Sequence, residues 1–564
     1  MSTIDWLILI FTLLFIVLYG IWKSRGMTTL NSYLLADKKL PWYHVGFSVM
    51  ATQASAITFL SAPGQAYTDG MRFLQFYFGL PLAMIVICTT FIPIFKNLNV
   101  FTAYEYLEKR FDNKTRSLTA FLFLLQRGLS TGVTIYAPAL VLSTILQLDI
   151  TYTTIVTGSI VILYTVYGGT KAVSHTQLLQ MTIIFAGLFS AAYMVVHLLP
   201  PNVGFTDALQ IAGKMNKLNA IDFKFDFNNK YNVWSGLIGG FFLQLSYFGT
   251  DQSQVGRYLT GKSITQSRLG LVFNGLVKIP MQFLILLIGT MVFTFYQFNE
   301  PPVFFNSVEL NRIKNSSYKT EFKLLENEYH VLHQQKQAHM KALVNAVKTK
   351  NEIVIDAERS FLNDGDKKAI AIKKSVTELM FKNNPKADVN DTNFIFLSFV
   401  MKFLPVGMVG LLIAIIFLAS MGSTASGLNS LASTTVVDFY KRFVSTNASP
   451  SEYLTISRWI TVAWGVFCIC VAFYASKLGN LIEAVNVLGS LFYGTILGIF
   501  LTAFFLKKIM GSAVFYAALL TEAFIVVAWL TDLTSFLWLN LIGVALVMSI
   551  AILLQLLFKK SAAE

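Results

Sequence analysis

Long apolar runs alternate along this chain with short polar ones. Runs near the ~20 residues needed to cross hydrocarbon fall at 4–22, 43–67, 73–95, 118–146, 151–168, 177–199, 234–256, 270–298, 394–430, 455–476, 480–506, 511–531 and 535–558. The pattern predicts an all-α polytopic membrane protein with about thirteen transmembrane helices. The first run could be mistaken for a signal sequence. MSTIDW, however, has no basic residue, carries Asp5 and leads to no small-residue cleavage site, so the run is expected to stay as a helix.

Composition agrees with the pattern. The chain of 564 residues is 55% hydrophobic and 13% charged, against about a quarter charged in soluble proteins. A net charge of +14 invites a nucleic-acid reading. Its lysines and arginines, however, sit mostly in loops abutting the runs, where topology and anionic headgroups account for them, and no nucleic-acid motif is present. Lys23, Arg25, Lys38 and Lys39 follow the first run, and Lys109, Arg110, Lys114 and Arg116 follow the third. Arg257, Lys262, Arg268, Lys441, Arg442, Lys507, Lys508, Lys559 and Lys560 continue the alternation on one side. The positive-inside rule then places the N-terminus outside and the C-terminus in the cytoplasm of a cell-membrane protein. Cys88, Cys468 and Cys470 lie inside apolar runs, and the last two point apart on a helix, against a disulfide or metal pair.

Residues 309–391 break the pattern with fifteen Lys/Arg and twelve Asp/Glu. They read as a solvated helical hairpin on the outer side, since long loops translocate regardless of charge. Of His330, His333 and His339, only the first two share a helical face, which argues against a metal cluster.

Polar residues at bilayer depth face protein or a water-filled path. MATQASAITFLSAPGQAY (50–67) and ASMGSTASGLNSLASTTVVDFY (419–440) concentrate small and hydroxyl side chains. They suit close helix packing or a small-cation site in which hydroxyls and freed carbonyls replace hydration. YFGTDQSQVGR (247–257) ends another run in six polar groups. Arg127 lies about 16 Å along its helix from Arg116, too deep to snorkel. It is read either as a contact for an anionic substrate or as the partner of a carboxylate or of capping carbonyls.

TDQSQVGRYL, YEYLEKRF (104–111), IYAPAL (135–140), YGGTKAV (167–173) and LNSLASTTVVDFYKR (428–442) resemble, in order, the sodium/solute symporter family, leaning toward its iodide, monocarboxylate and multivitamin branch. The resemblance implies a leucine-transporter-like fold of two inverted five-helix repeats whose first helices break at the midplane, here near Thr52–Ala56 and Ser246–Phe248. The implied division is an extra helix and loop at 1–42, a first repeat at 43–200, an outer loop at 201–232 and a second repeat at 233–308 and 392–506. The insertion at 309–391 interrupts that second repeat, and two helices follow at 507–564. TDQSQVGR becomes the cytoplasmic half of the second broken helix, with Arg257 at the surface; a packing and capping motif is the alternative for Gln254 and Arg257.

The family's sodium site maps onto Ala51, Ala54, Ala419, Gly422 and Ser423. Many members carry two adjacent hydroxyls where this chain has Gly422 and Ser423, and a shift of register by one would give Ser423 and Thr424. Members with an additional sodium site carry an Asp in a motif like KAVVWTD. This chain reads KAVSHTQ, so Gln177 supplies no charge. Tyr247 matches the aromatic that covers the sugar in glucose-type members and Gln244 a polar substrate contact, although a midplane aromatic also serves plain packing. The implied function is sodium-coupled import of a small organic solute, anionic if Arg127 contacts it. The expected partners are sodium, the solute and lipid, with no protein partner evident. A transporter-like sensor is the alternative, disfavoured because the chain ends at KKSAAE without a signalling domain. No paired intramembrane carboxylates, HExxH or nucleophile motif point to an enzyme.

Overall fold

The computed structural model describes residues 1–24, 30–385, 387–445 and 448–561; Arg25, invoked above for topology, lies outside them, as do the side chains of Lys559 and Lys560. Apart from an isolated bridge between Leu40 and Gly261, the ordered backbone among the described residues is helical. The principal helices are α1 (Thr3–Ser24), α2 (Trp42–Gln53), α3 (Ala56–Asp69) and α4 (Leu80–Val86, continuing through π-helical Ile87–Phe91 into Ile92–Asn97). Next come α5 (Asn113–Leu146), α6 (Ile150–His197), α7 (Gly240–Thr250), α8 (Gln252–Leu259) and α9 (Ile264–Phe298). A polar hairpin, α10 (Lys319–Lys348) and α11 (Glu352–Asn383), precedes α12 (Met408–Thr434), α13 (Pro450–Ala472), α14 (Leu481–Phe505), α15 (Gly511–Leu530) and α16 (Phe536–Ser561).

Ten helical stretches among the described residues are long and apolar enough to span a bilayer. Two of the ten hold a pair of segments each. Ile150–His197 turns at Gly169, whose φ of 55° and ψ of −175° few side-chain-bearing residues adopt, and Ala56–Asn97 contains both α3 and α4. The interrupted pair α7–α8 adds the last of the thirteen segments read from the pattern.

Three boundaries differ from the sequence reading. The run at 394–430 is two helices, Ile395–Phe403 and α12, because Leu404 turns extended and Gly407 takes a φ of 91°. The run at 73–95 opens on a 3-10 stretch, Gly70–Tyr77, before α4. The second midplane break falls at Asp251 rather than at Ser246–Phe248.

Burial separates core helices from lipid-facing ones. Leu7, Phe11 and Leu18 of α1 are largely exposed, whereas α12 is buried without interruption from Leu418 to Thr434. A helix enclosed on all sides in a membrane protein packs best with small residues. Its hydroxyls bond back to its own carbonyls: Ser423 Oγ donates to Ala419 O at 3.0 Å and Ser426 Oγ to Gly422 O at 2.9 Å. The half-helix α3 is also held backbone to backbone. A Cβ on Gly64 would stand 2.0 Å from Thr392 O, and one on Gly289 of α9 would stand 2.1 Å from Pro63 O.

At the end of the bundle away from the hairpin, buried Arg116 of α5 donates to Asp438 Oδ1 at 2.7 Å and also meets Glu108, which Arg442 reaches as well. Thr102 Oγ1 adds a bond to Asp438 at 3.0 Å. This network joins YEYLEKRF to VVDFYKR: Arg442 of the second meets Glu108 of the first, and Arg116, just beyond the first, pairs with both Glu108 and Asp438.

The extra helix α1 caps α12. Gly407 N and Gly410 N donate to Asp5 Oδ1 at 2.7 and 3.1 Å, and Ser2 Oγ donates to Asp5 Oδ2 at 2.7 Å. Asp5→Ala strips the first turn of α12 of its acceptor and is expected to lower stability by about 1–2 kcal/mol. Thermal unfolding in detergent checks this, and an unchanged midpoint would mean that the cap carries no weight.

Candidate functional site around the two helix breaks

The α2–α3 break follows from local hydrogen bonding. Ala54 N still reaches back to Met50 O at 2.8 Å, but Ser55, in extended conformation, sends its N–H to Gln53 O at 3.1 Å, and Thr58 N bonds to Ser55 O at 2.9 Å. Ser55 N and Thr58 N are the amides a continuous helix would aim at Ala51 O and Ala54 O. Both carbonyls are therefore released from helical pairing. This break lies within the predicted Thr52–Ala56.

The α7–α8 break is closed instead of open. Asp251 is the N-cap of α8, its Oδ1 accepting from Ser253 N at 2.8 Å and Ser253 Oγ at 2.6 Å. Thr250 O receives Tyr104 OH at 3.0 Å. Asp251 Oδ2 takes Arg127 Nη2 and also Tyr493 OH, the latter at 2.8 Å. Arg127 donates as well to Tyr493 OH at 3.0 Å, and its guanidinium sits 5.4 Å from the Tyr247 ring centroid. Gln254 Nε2 donates to Tyr247 OH at 2.6 Å.

The polar tail of YFGTDQSQVGR thus gains an account: Asp251 caps and pairs, Ser253 completes the cap, and Gln254 fixes Tyr247. Gln252 ties α8 to the loop that follows α4, its Oε1 accepting from Ala103 N at 3.1 Å and its Nε2 donating to Phe101 O at 2.9 Å. Arg257 is not at the surface, as the sequence suggested. It is 3% exposed, because short α8 ends inside the bundle against α12 and α6.

Between the breaks lies a cavity of about 90 Å³ lined by Arg127, Gln244 and Tyr247, the three residues singled out from sequence as substrate contacts. Arg127 meets the second of its two readings, since its partner is a carboxylate, yet it still faces the cavity. Three amides contribute unpaired atoms to the lining: Gln53 Oε1, Gln126 Oε1 and both polar atoms of Gln244. Buried amides without protein partners need hydrogen bonds from whatever occupies the space. Behind the lining residue Tyr77 lies Lys278 of α9, fully buried, its Nζ 5.7 Å from the Tyr77 ring centroid and without a hydrogen-bond partner among the described residues. Sequence reasoning passed over it. The signal was a lone lysine deep in an apolar run, GLVKIP.

The expected cation residues are distributed over two facing elements. Ala51 and Ala54 end α2, and Ala419, Gly422 and Ser423 lie on α12; all five are buried. Thr52 Oγ1 donates across to Ser426 Oγ at 2.9 Å, so the two elements touch. Four residues have oxygens suited to a small cation: the released carbonyls of Ala51 and Ala54, Ala419 O, and Ser423 Oγ, whose proton points back along its helix. Gly422 departs from the expectation. It has no side-chain oxygen, and its carbonyl already accepts from Gln177 Nε2 at 3.1 Å and from Ser426 Oγ.

Gln177 is the hub of this region. Its Nε2 donates to Ser426 Oγ at 2.9 Å and Gly422 O, and its Oε1 accepts from Ser48 Oγ at 2.5 Å. One amide thereby ties α2, α6 and α12 together.

Residues 33–308 and 376–520 match the sodium:solute symporter family. The chain belongs to that family. Human sodium/iodide cotransporter is 30% identical over 285 residues, 50% of this chain and 44% of the relative; the chain thus spans under half the length of that protein. The Oryctolagus cuniculus sodium-dependent multivitamin transporter is 25% identical over 89% of this chain and 66% of its own length. The Vibrio parahaemolyticus sodium/glucose cotransporter is 24% identical over 90% and 82% respectively. These relatives are transporters, not enzymes. The fold is also that of a substrate-bound Na+-coupled sialic acid symporter, with a TM-score of 0.75 at 21% identity over 99% of this chain and 98% of that one. The family match skips residues 309–375, which include α10 and most of α11.

The Arg127–Asp251 pair, 11% and 0% exposed at its side chains, should behave as a buried couple. Asp251→Asn and Arg127→Gln are each expected to destabilise strongly, by about 3–5 kcal/mol, since each strands a buried polar or charged partner. The double variant should lose less than the sum, with a coupling of roughly 1–3 kcal/mol. A double-mutant cycle by thermal unfolding decides; additivity would dissolve the pair.

Proposed function

We propose that this symporter-family protein couples inward sodium flow to import of a small organic solute by alternating access. The observation that carries the proposal is the convergence of two interrupted helices on one cavity lined by unpaired amides, with released carbonyls alongside facing a hydroxyl-bearing helix. That arrangement suits a solute and a cation held at adjacent sites. The N-terminus is assigned to the outside and the hairpin to the outer face, and α2–α6 and α7–α14 form the two inverted repeats around the insertion.

Sodium binds Ala51 O, Ala54 O, Ala419 O and Ser423 Oγ. The solute contacts Gln244 and Tyr247, with Arg127 positioned by Asp251 at the cavity wall. Because Asp251 offsets the charge of Arg127, the uncompensated cation near the cavity is Lys278. An ammonium buried without a counter-ion is costly, and an anionic group on the solute relieves that cost. A carboxylate or similar anion is therefore the solute class the lining favours, in keeping with the chain's likeness to iodide and multivitamin carriers. Tyr247, held by Gln254 from the adjoining half-helix, is the aromatic that closes over the solute as that half-helix moves.

Ser423→Ala deletes one ion contact while keeping the helix intact. The sodium concentration for half-maximal uptake is expected to rise about tenfold at similar protein abundance. An unchanged sodium dependence removes Ser423 from the site.

Coupling of one sodium ion per solute is expected, since Gln177, where relatives with an additional site carry an aspartate, brings no charge and its amide is already engaged. A missing carboxylate forfeits several kcal/mol at an effective dielectric of ~20, enough to leave a second site mostly empty. Reversal potentials in reconstituted vesicles, with gradient and voltage set independently, measure the ratio. A value of two or more would refute the single-ion reading, and absence of any sodium-driven uptake across a broad solute panel would refute the symport assignment itself.

A further inference from the structure

A second cavity, with about 250 Å³ of open space, lies where the hairpin α10–α11 meets the nearer end of α3. Its floor is aromatic. Tyr67 of α3 stands edge-on to Phe293 at 5.6 Å and to Phe305 at 5.7 Å. Its wall comes from the hairpin, through Tyr329, His333 and Lys336 on α10 and Asp366 and Lys373 on α11. Three lysines and one carboxylate line the space. Lys336 pairs with Asp366, and Lys373 lies 2.6 Å from Asp391 outside the lining. Lys217 is in no ion pair among the described residues, although the carboxylates of Asp366 and Asp69 act on it from further off: it donates to Thr68 O and rests 4.7 Å from the Phe293 ring centroid.

His333 is 6% exposed, and its Nε2 has no partner among the described residues. Burial, with Lys336 nearby, pushes the His333 imidazole down to about 4. It is thus neutral at physiological pH, and its free nitrogen can bond either a donor or an acceptor. The cavity joins an unmet polar atom, an ammonium outside any ion pair and a bed of rings. Aromatic bodies are held by edge and face contacts with such rings, and carboxylates by charge-assisted bonds from lysine.

We propose that this cavity is a second binding site, for a small aryl carboxylate whose ring lies against Tyr67 and Phe293 and whose anionic group meets Lys217 and His333. The family match stops at residue 308 and resumes at 376, so the hairpin wall is an addition to the symporter core. A ligand here touches the added hairpin and the half-helix α3 at once. Its occupancy therefore bears on the element that adjoins the central break. Binding itself does not depend on the transport assignment.

Amide hydrogen exchange on the full chain in lipid nanodiscs tests this, with benzoate as probe and benzamide as its uncharged control. Benzoate should slow exchange several-fold from Tyr329 to Lys336 and at the Tyr67 end of α3, and benzamide should not. Lys217→Gln should weaken benzoate binding about tenfold or more. Ile370→Trp, at an exposed position on the cavity mouth (68% exposed), should abolish the hairpin protection by filling the space without touching the buried core. Protection confined to α7 and α14 would place benzoate in the central cavity and overturn the proposal. So would equal protection by benzamide, or benzoate binding undiminished in both variants.

Discussion

Interrupting a helix inside a bilayer releases backbone carbonyls and amides that hydrocarbon cannot satisfy. The structure depends on how that demand is met at two places. At Asp251 the demand is met within the protein: a carboxylate caps the new helix, a tyrosine hydroxyl takes the carbonyl of Thr250, and Arg127 balances the charge. At Ala54 it is met only in part, because the amides that would have served Ala51 and Ala54 turn to Gln53 and Ser55. One break is sealed and the other offers oxygens. That asymmetry is the reason the proposed cation site lies at the α2–α3 break rather than at its counterpart.

Charge follows the same logic. Arg127 is deep but accompanied, so its cost is contained by Asp251 and Tyr493. Lys278 is equally deep and unaccompanied. Arg127, on α5, lines the cavity itself, whereas Lys278, on α9, sits behind Tyr77 of the lining. A neutral solute would find hydrogen bonds there and leave the lysine unserved. An anion does both.

Much of this was legible in the sequence. Thirteen apolar segments, the first break and the cavity residues Arg127, Gln244 and Tyr247 were all read from local composition or from motif resemblance. What escaped depends on distant partners. The second break was placed about a turn early because Asp251 reads locally as one polar residue among six; its weight comes from Arg127, 124 positions away. Arg257 looked like a surface cation because it follows a polar stretch, but α8 is only 8 residues long and ends within the bundle. The turn at Leu404–Gly407 was hidden inside a continuous apolar run, although FLPVG carries both the proline and the glycine that mark such turns. Lys278 was visible and overlooked, since a single charge in an apolar helix announces itself only when its depth is considered.

Gln177 shows how a charge can be lost without loosening the site. An aspartate at this position would bring a negative charge into the space between α2, α6 and α12, and that charge would call for a cation. The amide brings its own donor. Its nitrogen reaches Gly422 O and Ser426 Oγ, acceptors that an ion could otherwise claim, while its oxygen receives Ser48. A tethered N–H₂ group thus fills, permanently and without charge, part of the role a bound ion would play in holding the three helices together. In the proposed site the ion instead meets Ala51 O and Ala54 O, released from helical pairing, together with Ala419 O and Ser423 Oγ, which bond to each other at 3.0 Å. The proposed ion site and the solute cavity thus meet at the first break, where Gln53, which lines the cavity, is the chain neighbour of Ala54.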